Sequence, residues 1–158
     1  MAYTLINKST DYFNTKLYAG NGSTQTISGV GFEPSMTWAK ARTTTTNNVL
    51  QSTVQGLSTA QFSNLAVAES TGLSNAITAY NSDGFALGDW SPLNASGQNF
   101  ISWNWKAGTT GSGTTTGAGT GKAYSYSVNT TSGFSVVKYV GNGTAGHTIP
   151  HHLGAVPK

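Results

Sequence analysis

No cysteine occurs in the 158 residues, which excludes disulfide staples and thiolate metal centres. Charge is nearly as scarce: Asp, Glu, Lys and Arg make up 8% of the chain, against about 25% in ordinary soluble domains. The five acids, Asp11, Glu33, Glu69, Asp83 and Asp89, stand singly along the chain. They mark out no carboxylate pair of the kind that glycoside hydrolysis uses. The eight basic residues are equally scattered, and only Lys40 and Arg42 are near neighbours. The net charge of +3 therefore reflects a shortage of acids rather than a basic stripe, and no nucleic-acid partner is expected. No run approaches the about 18 apolar residues of a membrane span, so membrane insertion is not expected either. The opening residues, MAYTLINKSTDYF, lack the basic and apolar regions of a secretory signal. Phosphate-binding loops, dinucleotide fingerprints and nucleophile elbows are missing as well. These absences point to a non-enzymatic protein with no cofactor, no metal and no catalytic residue.

What remains is a neutral polar chain. Hydrophobic residues are 37% and aromatics 11%, enough for a lean core. Thr favours strands, while Ser, Asn and Gly favour turns. A surface of neutral hydrogen-bonding groups also lets many copies pack with little electrostatic penalty, so a homo-oligomer is expected.

Short β-like segments alternate with turn residues along the chain. Segments 14–19 and 24–28 flank Gly20-Asn21-Gly22-Ser23, and Asn-Gly between such runs is a strong hairpin signal. Segments 35–42 and 49–54 read as further strands, and 58–68 shows the only helix-like spacing, through Phe62, Leu65 and Ala66. Asp83-Gly84 repeats the hairpin signal between segments 75–80 and 85–87. In segment 98–107, Ile101, Trp103 and Trp105 alternate with Ser102, Asn104 and Lys106. Strict alternation predicts a buried aromatic face and a solvated polar one, with Trp38, Trp103 and Trp105 in the core. Residues 109–121 are almost wholly Gly, Thr and Ser and read as a flexible linker. Strands resume at 123–128 and 134–140.

The chain repeats itself across that linker. Lys16 to Ser23 is echoed by Val137 to Thr144, with Gly20-Asn21-Gly22 matching Gly141-Asn142-Gly143 at a spacing of 121. Ile27 then parallels Ile149, Gly29 to Pro34 parallels His152 to Pro157, and Asp11-Tyr12-Phe13 parallels Ser132-Gly133-Phe134. The organisation expected is a β-sandwich unit over 1–108, a linker over 109–121, and the opening hairpin of a second repeat over 122–158. A lone hairpin is marginal in water. Two accounts fit: either the natural chain continues, or the hairpin adds to the sheet edge of a neighbouring copy. The second account places Tyr139, Asn142, Gly143 and Ile149 at an assembly contact.

The string Tyr12 to Gln25, the Gly29 to Pro34 turn leading to Trp38-Ala39-Lys40, Asn81 to Gly88 and Trp103 to Gly108 together resemble a repeat unit of bacteriophage tail and fibre proteins. Those proteins belong to marine and cyanobacterial phages. The resemblance implies an all-β fold, an antiparallel β-sandwich of the concanavalin-A-like or jelly-roll type. It also implies a place on the virion, with partners among other virion proteins, copies of itself and host surface glycans. It brings no catalytic pattern.

Two smaller features bear on binding. Trp90 follows Gly88-Asp89 in a turn-rich stretch and is expected to be exposed. With Asp89, Asn94 and Ser96 it forms a candidate sugar platform, the ring stacking on a sugar face and the polar groups taking hydroxyls. The histidines, His147, His151 and His152, cluster near the C-terminus, but Pro150 and the strand-like context argue against a helical metal pair.

Overall fold

The computed structural model describes residues 6–156, so Pro157, which closes the second copy of the repeat, lies outside the described residues. After a 3-10 turn (Ser9–Asp11) the chain forms β1 (Phe13–Ala19), β2 (Gln25–Ser28), β3 (Met36–Ala41), β4 (Val49–Ser52) and β5 (Gln61–Phe62). There follow β6 (Ile77–Asn81), β7 (Gly84–Leu87), a one-turn helix α1 (Ser91–Asn94) and β8 (Asn99–Trp105). The C-terminal part holds β9 (Thr109–Thr114), β10 (Thr116–Gly117), β11 (Ala123–Asn129), β12 (Phe134–Tyr139) and β13 (His147–Thr148). The fold is nearly all β, and every strand pairing is antiparallel.

A five-stranded sheet, β1-β8-β3-β4-β5, and a three-stranded sheet, β2-β7-β6, make the sandwich. Their core joins Ile27, Ile77, Phe85 and Leu87 of the smaller sheet to Ala39 and Val49 of the larger, with Leu93 of α1. Tyr18 bridges the layers. Its ring stacks on Phe100 at 5.2 Å and meets Phe85 edge-on at 6.1 Å, and its hydroxyl donates to the Leu93 carbonyl at 2.9 Å.

The alternation of the large sheet is as expected, but its sidedness is inverted. Ser102 and Asn104 are fully buried, whereas Trp38, Trp103 and Trp105 are only half-buried and lie outside the core cluster. The reason is volume. The smaller sheet brings Phe85, Leu87 and Ile77 into the interlayer gap of about 10 Å, so apart from Phe100 the inward positions of β3 and β8 are held by smaller residues, Thr37, Ala39, Ala41, Ser102 and Asn104. Polar groups there are tolerated because they are satisfied. Thr37 Oγ1 donates to Asn104 Oδ1 at 2.9 Å, and Asn104 Nδ2 donates to the Asn14 carbonyl at 3.2 Å. Gln51 ties the two layers together, accepting from Ile77 N at 3.1 Å and donating to the Leu57 carbonyl at 2.6 Å.

Four further expectations are corrected. Residues 58–68 form turns and β5 rather than a helix; Thr59 Oγ1 donates to the Gln55 and Gly56 carbonyls, a local bond that competes with helix, and Asn64 Oδ1 accepts from the distant Asn48 N. Asp83-Gly84 does close a hairpin, β6 with β7, but Asn21-Gly22 does not. There β1 pairs with β8 and β2 with β7, so the Asn-Gly segment is a corner that carries the chain from one sheet to the other.

The presumed linker is in its first half a strand. β9 pairs with β11 along Thr109 to Thr114, in the sheet β12-β11-β9. Its glycines are what the tyrosines of β11 require: a Cβ on Gly111 would stand 2.6 Å from the Tyr126 hydroxyl, and one on Gly113 would stand 2.8 Å from that of Tyr124. Rings laid over glycine are a known device for filling the space a side chain leaves empty. The second copy is likewise not a lone hairpin, since β12 pairs with β11 and β13 pairs with β10.

Candidate functional site

The inverted sidedness leaves an aromatic surface on the outer face of the large sheet. Register places Phe13 beside Trp105 and then Met36, and Thr15 beside Trp103, Trp38 and Leu50. Trp38 and Trp103 pack at 5.1 Å, and Trp38 Nε1 donates to Ser63 Oγ at 2.9 Å. Trp105 lies 5.0 Å from Phe13 and 6.0 Å from Phe134 of β12, so β12 is anchored at one end of this surface. At the far end of β1, Leu17 is 56% exposed. A cleft of about 350 Å³ separates Leu50 and Gln61 from Val136 and Tyr139.

A second aromatic group stands on the C-terminal sheet. His152 stacks on Tyr126 at 3.7 Å, and its Nε2 is 3.1 Å from the Tyr124 hydroxyl. The other histidines are employed apart from it. His147 Nε2 contacts Thr115 Oγ1 at 2.6 Å, and His151 Nδ1 accepts from Leu153 N at 3.1 Å. Among the described residues no three His, Asp or Glu side chains are placed to hold a metal ion. No helix among them is long and apolar enough to cross a membrane.

Three of the carboxylates serve separate local purposes. Asp83 accepts from Gly29 N at 2.9 Å and Gly31 N at 2.7 Å; those two bonds, with Lys16 nearby, hold its carboxyl below the usual range. Asp11 pairs with Lys8 at 3.2 Å, and Asp89 accepts from Asn75 Nδ2 at 2.6 Å. Burial pushes the Tyr18 and Tyr80 phenols above their ordinary range.

The sequence-predicted sugar platform separates into two kinds of residue. Asp89 and Ser96 are exposed, and Trp90 is half-buried, packed against the core and 6.1 Å from Phe62. Asn94 is fully buried and holds the Asn-Gly corner together, which removes it from any contact with a sugar. Its Oδ1 accepts from Asn21 N at 3.0 Å and Gln25 Nε2 at 2.5 Å, and its Nδ2 donates to the carbonyls of Ser23 at 2.5 Å and Gly88 at 2.7 Å. Asparagine, which carries two donors and an accepting oxygen, suits such a hub.

Of the expected assembly residues, Tyr139 is 53% exposed. Asn142 is engaged within the chain. Its Nδ2 donates to the carbonyls of Ala118 at 2.9 Å and Thr120 at 3.1 Å, and its Oδ1 accepts from Thr144 N at 2.9 Å. Gly143 supplies the positive φ of 74° that this corner needs, and Ile149 is half-buried. Sequence reasoning missed the outer aromatic face because it placed those rings inside.

A family model described as "Domain of unknown function (DUF7483)" matches residues 8–158. No curated protein matches the chain, and no solved structure does.

Proposed function

We propose that this chain, which belongs to the DUF7483 family, is a non-enzymatic structural component of a virion, in a tail, tail fibre or capsid-surface position. The observation that carries the reading is the half-exposed aromatic face of the large sheet, set in a surface with few charges. Such a face supplies contact area with little desolvation cost, as assembly surfaces do. The dispersed carboxylates and the β-sheet edges at β1, β5, β9 and β12 favour the same role. Partners are then other virion proteins and further copies of the chain. Quantitative mass spectrometry of purified virions against the cleared lysate tests this. Multiple copies per particle are expected, and a chain confined to the soluble fraction refutes it.

A carbohydrate-binding adhesin is the second reading, favoured by the half-exposed Trp90 beside the exposed Asp89. Glycan-array binding that is lost in Trp90→Ala would support it, and unchanged binding would end it.

A further inference from the structure

The repeat relates β1 to β12 residue by residue: Phe13 to Phe134, Tyr18 to Tyr139, Gly20 to Gly141. The relation extends to the direction of each backbone amide. In the first copy Gly20 N donates to the Gln98 carbonyl at 2.8 Å, and Lys106 N to the Tyr12 carbonyl at 2.8 Å. Hydrogen-bonded pairs alternate along an antiparallel ladder, so Asn14, Lys16 and Tyr18 turn their N–H and C=O groups toward β8. In the second copy Val140 N donates to the Ala123 carbonyl at 3.2 Å. By the same alternation Phe134, Val136 and Lys138 face β11, while Ser135, Val137 and Tyr139 face the other way. Those three are the counterparts of Asn14, Lys16 and Tyr18. β12 ends its sheet, so their amides lie on an open edge.

Three side-chain observations agree. Ser135 Oγ is buried with no hydrogen-bond partner, and its counterpart Asn14 stands opposite Asn104 in the first copy. Tyr139 is 53% exposed, whereas its counterpart Tyr18 is covered by the Phe100 ring at 5.2 Å. On its β12 side the 350 Å³ cleft is lined by four successive residues, Val136 to Tyr139, and Leu50, Ser52 and Gln61 belong to its other side. Successive side chains of a strand point to opposite faces, so a cleft touching all four follows the strand's edge.

We infer that the open edge of β12 is an acceptor for a strand of the β8 type, supplied by another unit of the same repeat in which the edge that β1 covers here is free. The incoming strand alternates Phe, Ser and Asn on one side with Ile and Trp on the other, as Asn99–Trp105 does. Its Asn would stand against Ser135 and its Phe against Tyr139. Main-chain bonds give affinity and the alternating side chains fix register, as in strand addition generally. The contact deepens the assembly role proposed above and rests on it only for placing the donor in the same assembly.

The test uses the full chain, labelled with ¹⁵N, and a synthetic peptide of residues 98–106. Hydrogen exchange read by NMR is expected to slow at Ser135, Val137 and Tyr139 on peptide addition. N-methylation of the peptide at Phe100 and Ser102 removes the amides that face the acceptor; methylation at Ile101 and Trp103 does not. The first is expected to weaken binding by about tenfold or more and the second to leave it unchanged. Val137→Pro supplies an independent block, because its N–H faces away from β11 and proline is tolerated on such an edge. No binding, equal binding of both methylated peptides, or protection at Thr15 and Leu17 instead of β12 would each overturn the inference. None of these outcomes alters the copy number measured in virions, so the two readings fail separately.

Discussion

Gly111→Ala distinguishes a strand from a linker. In a flexible segment the change is neutral or stabilises by about 0.4–1 kcal/mol, because alanine restricts the unfolded chain. In β9 the new methyl would stand 2.6 Å from the Tyr126 hydroxyl and 2.7 Å from the ring carbon bearing it. Tyr126 must then leave its place, and the His152 ring stacked on it at 3.7 Å loses its support. Overpacking of this kind costs about 1–3 kcal/mol, and a lost ring stack about 0.5–1.5 kcal/mol. Set against the unfolded-state gain, the net expectation is a loss of about 0.5–4 kcal/mol. Gly141→Ala is the control, since nothing lies within 4 Å of its added Cβ. Urea unfolding followed by near-UV circular dichroism reads the tyrosine environment of this sheet. Equal midpoints for the two variants would refute the packing argument and restore a mobile linker.

Asn94→Ala is expected to destabilise by about 2–4 kcal/mol in thermal or urea unfolding, because Asn21 N and the Ser23 and Gly88 carbonyls lose their partner together. A loss under about 0.5 kcal/mol would remove its role as a hub. Asp83→Asn should lower the melting temperature at neutral pH. The Gly29 and Gly31 amides hold the Asp83 carboxyl below its usual range, so its stabilisation is complete above that range and disappears as pH falls through the folded value. The gap between wild type and variant therefore closes in acid; a gap that stays constant down to about pH 2 would contradict this. At His152, φ is 59°, a conformation in which alanine is strained and glycine is not. His152→Gly should thus be more stable than His152→Ala by up to about 1 kcal/mol, the reverse of the usual order. Equal unfolding midpoints would mean the ring stack alone matters there.

Strand positions in the sandwich were legible because period-two alternation and turn residues are local signals. β1, β3 and β8 fall within a residue or two of where the pattern puts them. Sidedness was not legible. Alternation at Phe100 to Trp105 says that two faces differ, but which one is buried depends on what the opposing sheet brings to the gap. Here the smaller sheet brings Phe85, Leu87 and Ile77. The same limit explains the sugar platform. Asn94 reads as an exposed turn residue until the corner at Asn21 and Ser23 folds over it. Residues 109–114 hid as a linker because the signal lies in another segment, in Tyr124 and Tyr126, whose rings need a strand without side chains. Asn-Gly marked a sharp turn correctly but not its product, since a hairpin and a sheet-to-sheet corner make the same local demand.

The two Asn-Gly corners separate what is local from what is borrowed. Gly22 and Gly143 adopt φ of 69° and 74°, and in each corner the preceding asparagine accepts the amide two residues on, Ser23 N at 2.8 Å and Thr144 N at 2.9 Å. The anchors differ entirely. Asn94 of α1 clasps the first corner, whereas the carbonyls of Ala118 and Thr120 hold the second through Asn142. A conformation that recurs with unrelated partners is encoded in its own residues, as expected where an asparagine side chain mimics a backbone turn. The strands beside the corners behave in the opposite way: β1 holds β8 on one edge, while β12 holds β11 on the other. Each copy thus keeps the turn and satisfies one side of the same strand. The repeat unit encodes a strand with two usable edges, and which edge is filled depends on the neighbours that the rest of the chain supplies.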